Sequence, residues 1–207
     1  MTPLRARLRD ALGDTVGRGH ARARILAAAI DTFAEHGVAA VRVEDIIVAA
    51  EVSRRTFYQH FAHKLAVVHA LFELVTQHLA QTFAAAVART TDPRAAIDEA
   101  LDVYLELHRT DRDIVRALLE ESLRADSPLY PLRVRFRRDI MRGLDAMFAV
   151  ATRRALDPMV GLALVSAVEG ISRELLAGTP SRRELARAKA VIAGLIALIA
   201  AHGKELP

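Results

Sequence analysis

The run Val52-Ser53-Arg54-Arg55-Thr56-Phe57-Tyr58-Gln59-His60-Phe61 gathers hydrogen-bonding side chains into ten consecutive residues. Arg, Ser, Thr, Tyr, Gln and His are the types that reach phosphate oxygens and the edges of bases. Phe57 and Phe61 stand four apart, so on a helix they share an inner face and leave Arg54, Arg55, Thr56, Tyr58, Gln59 and His60 outside. A short helix with that division fits a major groove. Arg54 and Arg55 sit nearest its start. A guanidinium offers guanine a bidentate pair, which contributes about 1–3 kcal/mol of discrimination.

Other chemistry is poorly supplied. His60 and His63 have the spacing of a metal pair, but no suitably spaced carboxylate joins them and the chain has no Cys. Neither a metal nor a cofactor is therefore expected, and thiolate nucleophiles and disulfides are excluded. There is no Gly-rich phosphate loop and no nucleophile-elbow sequence, so an enzyme is not expected. The net charge of +4 is compatible with nucleic acid without demonstrating it. No signal-peptide run opens the chain, and the most apolar stretch, residues 190–201, is too short to span a bilayer. A cytoplasmic protein without a membrane partner is expected.

Three short helices must hold the polar run in place. Ile25, Leu26, Ala29, Ile30 and Phe33 recur at the helical period, and Gly37 falls where a C-cap belongs. A second helix is predicted over 43–50, with Ala49 and Ala50 small enough for close approach. Glu51 and Val52 then form a tight break that Val52 plugs. Ser53 is a good N-cap for the third helix, 54–60, through the Thr56 N–H. A long helix follows over 63–89. Asp92-Pro93 and Asp157-Pro158 pair an N-cap with a first-turn proline, and Ser181 with Glu184 forms a capping box. The pattern gives nine helices and no strand, hence an all-α fold. Its expected parts are an arm over 1–20, a helix-turn-helix domain over 21–66 and a larger helical domain over 67–207. The arm reads either as a solvated tail or as a basic segment that follows a phosphate backbone or enters a minor groove.

The run 52–61, followed by Lys64 and preceded by Asp45-Ile46 and Ala49-Ala50, resembles the signature of the TetR family over residues 22–72. In that family a Val-Ser turn is followed by two variable residues, then Thr, an apolar residue, Tyr, a variable residue, His or Tyr, and Phe. The resemblance implies base reading by Arg54 and Arg55, and phosphate contacts by Thr56, Tyr58, His60 and Lys64. Gln59 suits either, and Ser53 caps the helix beside them. Three positions depart from the pattern. Glu51 stands where Gly is usual, Ile47 where Ala is usual, and Arg42 where a capping Thr or Ser is usual. Glu51 implies about 1 kcal/mol of strain if its φ is positive. Arg42 substitutes a direct phosphate contact for a hydroxyl.

The resemblance further implies a homodimer on a pseudo-palindromic operator, a repressor released by a mostly apolar small molecule. The last two helices suit the dimer interface, being rich in small residues: Gly161, Ala163, Ser166, Ala167 and Gly170, then Ala186, Ala190, Ala193, Gly194 and Ala197. The ligand-pocket candidates are Tyr104, His108, Glu121, Phe136, Met141, Met147, Phe148 and Glu169, bulky or polar groups that interrupt apolar faces. The rival readings are an all-helical binding or interaction protein without DNA binding, and a helical enzyme.

Overall fold

A computed structural model describes residues 18–90 and 92–202. Most of the arm expected over 1–20 lies outside them, and helix begins at Arg18. Among the described residues there are nine helices and no strand: α1 Arg18–Ala40, α2 Val43–Ala49, α3 Arg54–His60, α4 Lys64–Arg89, α5 Pro93–Thr110, α6 Arg112–Leu123, α7 Tyr130–Thr152, α8 Pro158–Ala177 and α9 Arg182–His202. No described helix is long and apolar enough to cross a membrane.

The chain divides into two compact units. The first holds α1, α2, α3, α4 as far as Gln77, and Thr110–Arg133, which carries α6 and the first residues of α7. Its centre is the predicted stripe of α1: Ile25, Leu26, Ala29, Ile30 and Phe33 are all buried. α2, α3 and α6 pack on α1. They add Ile46, Phe57 and Ile114, while α4 adds Val67, Val68 and Leu71. Truncating a side chain such as Phe57 at this density costs about 3–5 kcal/mol, so α3 is anchored by its own core residue. Gly37 interrupts α1 with φ 75° and ψ 158°. A glycine meets that backbone without a Cβ clash.

The second unit holds α4 from His78, α5 to Arg109, α7 from Val134, and α8 and α9. The helix starts carry the devices read from the sequence. Asp92 Oδ1 accepts the Arg94 N–H at 2.9 Å. Asp157 Oδ1 accepts those of Met159 and Val160 at 2.8 and 3.1 Å. The Ser181 N–H donates to Glu184 at 2.7 Å, and the Glu184 N–H returns to Ser181 Oγ at 3.2 Å. These bonds satisfy donors that a helix N-terminus leaves open. α8 packs on α9. Leu105, Leu185 and Ala188 form a buried cluster, with Tyr104, Ile171 and Leu175 against it.

Candidate nucleic-acid interface and ligand cavity

α3 is a two-turn helix with one fully buried side chain, Phe57. Ser53 Oγ accepts the Thr56 N–H at 3.0 Å and lies 2.8 Å from Thr56 Oγ1, which fixes the first turn. Phe57 meets Tyr58 edge to face, centroids 5.4 Å apart, and Phe61 at 6.1 Å. Inward Phe57 and Phe61 leave Arg54, Arg55, Tyr58 and Gln59 exposed, with Thr56 and His60 half-buried. Arg54 lies over the Tyr58 ring at 5.9 Å and pairs with Glu44 of α2 at 3.2 Å. Arg55 is exposed and has no ion pair among the described residues.

The turn before α3 puts Glu51 at φ 49°, in the left-handed region. Ala50 is buried there, whereas Ala49 faces outward and is not the close-approach residue expected of it. Arg24 of α1 reaches across to Glu51, donating to its carbonyl at 3.0 Å and its carboxylate at 3.2 Å. At the start of α2 the Arg42 N–H donates to Asp45 Oδ2 at 2.7 Å, and the Arg42 side chain is left exposed. Lys64 turns back onto the end of α1: its Nζ donates to Val38 O at 2.6 Å, Val41 O at 2.7 Å and Ala39 O at 3.3 Å.

The second unit encloses a cavity of about 150 Å³, partly open to solvent. Leu79, Phe83, Ile97, Phe136, Leu144, Leu164 and Ile192 supply much of its apolar wall; its polar side chains are Thr82, Tyr104, Arg137 and Glu169. Arg137 Nε stands 3.6 Å from the Glu169 carboxylate, and Arg137 Nη2 donates to Ser166 Oγ at 3.2 Å. The Tyr104 hydroxyl lies 2.6 Å from Ser172 Oγ. Burial of this phenol, with Glu169 nearby, pushes its pKa up to about 12 against the hydrogen bond from Ser172. It therefore stays neutral and can hydrogen-bond without bringing charge. A neighbouring cavity of about 400 Å³ shares Ile97, Leu144, Leu164 and Ile196 with the first and adds Met147 and Phe148.

Residues 25–71, which hold most of α1, all of α2 and α3 and the turn between them, match the family described as bacterial regulatory proteins, tetR family. Over this segment the chain is similar to the TetR family. Over 108 residues it is 28% identical to the HTH-type transcriptional activator FasR of Mycolicibacterium smegmatis, a stretch covering 52% of this chain and 49% of that relative. It thus matches about half the length of that curated protein. A TetR-family transcriptional regulator from Streptomyces coelicolor superposes with a TM-score of 0.78 at 17% identity, over 97% of this chain and 98% of the other. FadR of Thermus thermophilus, a TetR-family repressor solved with lauroyl-CoA, gives 0.66 at 22% identity, over 85% and 93%. At these identities the likeness is one of fold.

The sequence candidates divide by location. Arg42, Ser53, Arg54, Arg55, Thr56, Tyr58, Gln59, His60 and Lys64 all lie in the first unit. Of the pocket candidates, Tyr104, Phe136 and Glu169 line the first cavity, and Met147 and Phe148 the second. Met141 lies outside both, against the Gly161 backbone. His108 is buried with Nδ1 2.9 Å from the Tyr104 carbonyl, and Glu121 belongs to the first unit. Sequence reasoning passed over Arg24, Arg137 and the cavity's aliphatic wall. Arg137 stands in an arginine-rich run, 133–138, that reads as a solvated face, and nothing local distinguishes it.

Proposed function

We propose that the chain binds double-stranded operator DNA as a homodimer and represses transcription until a mostly apolar small molecule enters the cavity. On this reading residues 21–66 hold the DNA and residues 67–207 bind the ligand and pair the subunits, in the cytoplasm where the DNA is. One observation carries the DNA reading: α3 buries Phe57 completely while exposing Arg54, Arg55, Tyr58 and Gln59 on its opposite side. The groove is read by the exposed set. Arg55, with no ion pair among the described residues, is the base reader. Arg54 is pre-positioned by Glu44 and Tyr58. Arg42, Thr56, Tyr58 and His60 contact phosphate, Gln59 reaches either, and Ser53 holds the turn. Lys64 acts by fastening α4 to the end of α1.

The pairing surface is supported by α8 and α9. Met159, Leu162, Ala163 and Ser166 are exposed at the spacing of one helix face, as are Ala190, Val191, Gly194, Ala197 and Leu198. A stripe of exposed apolar and small residues on two adjacent helices suits an isologous four-helix contact. Relatives act in both directions, FasR as an activator and FadR as a repressor. Repression is preferred because blocking a promoter needs DNA occupancy and no second protein surface.

The test compares Arg55→Ala with the parent on the duplex the parent selects and on random duplex, by fluorescence anisotropy. The selected duplex should lose about 1–3 kcal/mol of affinity while random DNA changes far less. Equal losses on both would reject the base-reading role.

A further inference from the structure

We infer that the cavity takes an apolar molecule bearing a hydrogen-bond acceptor, a ketone or ester carbonyl, seated on the Tyr104 hydroxyl. This rests on the cavity's being the ligand site, as proposed above, and goes beyond it to the ligand's chemical class. Two hydroxyls, Tyr104 on α5 and Ser172 on α8, stand 2.6 Å apart. They own two protons, and the single contact between them uses one. Ser172 is buried, only 2% exposed, and does not line the cavity. A helical serine or threonine often sends its proton back to a carbonyl of the preceding turn. Ser122 does so to Leu119 O at 2.8 Å, and Thr152 to Phe148 O at 2.8 Å. Ser172 makes no such bond among the described residues, so the Tyr104 oxygen is its acceptor.

The reverse arrangement would leave the Ser172 proton buried without an acceptor, at a cost of about 1–3 kcal/mol. With Ser172 donating, the proton left over is that of Tyr104. Tyr104 lines the cavity, so a ligand there can supply the acceptor. The donor is also well placed. His108 packs against the Tyr104 ring, centroids 4.8 Å apart, and its Nδ1 lies 2.9 Å from the Tyr104 carbonyl. Burial, which raises the phenol's pKa to about 12, keeps the proton on it at pH 7. A carbonyl takes that proton and brings neither a proton nor a charge that must itself leave water. Most of the remaining wall is apolar, so the ligand's body supplies the hydrophobic part of binding.

The experiment is an NMR-monitored titration of the full chain at pH 7 with acetophenone and with α-methylstyrene, which carries C=CH2 in place of C=O on the same skeleton. Both probes are run against the parent and against Tyr104→Phe. The parent should bind both. Tyr104→Phe should weaken acetophenone about tenfold and leave α-methylstyrene as it was. Thr82 and Arg137, which also line the cavity and can donate, stay in place in the variant, so the loss belongs to Tyr104. Acetophenone unbound by the parent, unaffected by the variant, or weakened no more than α-methylstyrene overturns the inference and leaves the cavity as the ligand site. Binding of neither probe to the parent overturns both. The carbonyl stretching band of bound acetophenone gives a second measurement in the unmodified chain. It should lie below its position in dry alkane. A band at the alkane position overturns the inference whether or not the variant folds.

Discussion

Lys64 donates to three carbonyls, two of them, Val38 and Ala39, in the last turn of α1. A helix leaves its final carbonyls without internal donors, and an ammonium placed there satisfies them and complements the helix dipole. Lys64→Met keeps much of the stem and removes the donors. It should lower stability by about 1–3 kcal/mol in urea unfolding, with the ratio of specific to random DNA binding unchanged. Undiminished stability would show that the three contacts contribute nothing. Glu51 is the counterpart at the turn. Its left-handed backbone costs on the order of 1 kcal/mol, and its exposed ion pair with Arg24 returns little of that. The Arg24 bond to its carbonyl is the more useful fastening. His108 gives a pH signature. Burial holds its pKa below the ordinary value, opposed by the bond to the Tyr104 carbonyl. A carbonyl only accepts, so Nδ1 carries the proton of the neutral ring. As pH falls below about 6.5, the unfolded chain takes up a proton that folded His108 resists. Stability is thus present above that value and lost beneath it. The thermal midpoint should fall between pH 7 and 5.5, and His108→Asn should remove part of the fall; an identical slope in the variant would contradict this.

At the scale of elements, Ser53 shows what a cap does for a seven-residue helix. α3 is too short to hold itself in water, so its form depends on Phe57 below and the Ser53 cap at its start. Ser53→Ala should cost about 1 kcal/mol of stability and weaken binding to all duplexes alike, measured by unfolding and anisotropy together. A loss confined to one operator position would instead make Ser53 a reader. Caps of this kind were legible in the sequence because their chemistry closes within three residues, as at Ser53, Asp157 and Ser181. The stripe of α1 was legible because its period repeats over several turns. Contacts across long separations were not. Lys64 folds back 26 residues to Val38, and Arg24 reaches 27 to Glu51; a motif fixes where such a residue stands and says nothing of where its charge goes. The cavity was partly legible for a related reason. Tyr104 and Glu169 stand out as polar groups on apolar stripes, whereas aliphatic wall residues such as Ile97 and Leu144 look like any core residue until helices are placed around them.

At the scale of the molecule, one recognition helix reads only a few base pairs, and grip comes from two presented together. The exposed stripe of α8 and α9 is where the account puts that pairing, with Met159 71% and Val191 46% exposed. Val191→Glu places like charges against each other across an isologous contact. It should convert a dimer to a monomer in sedimentation velocity and weaken operator binding, while the helical content stays unchanged. A dimer that persists would move the interface elsewhere. The most direct test of the central claim, that two outward α3 faces read one duplex, is selection of binding sites by the purified protein from random DNA. The account predicts an inverted repeat whose half-sites lie a whole number of helical turns apart. No enriched sequence, or a single half-site bound by one chain, would contradict it.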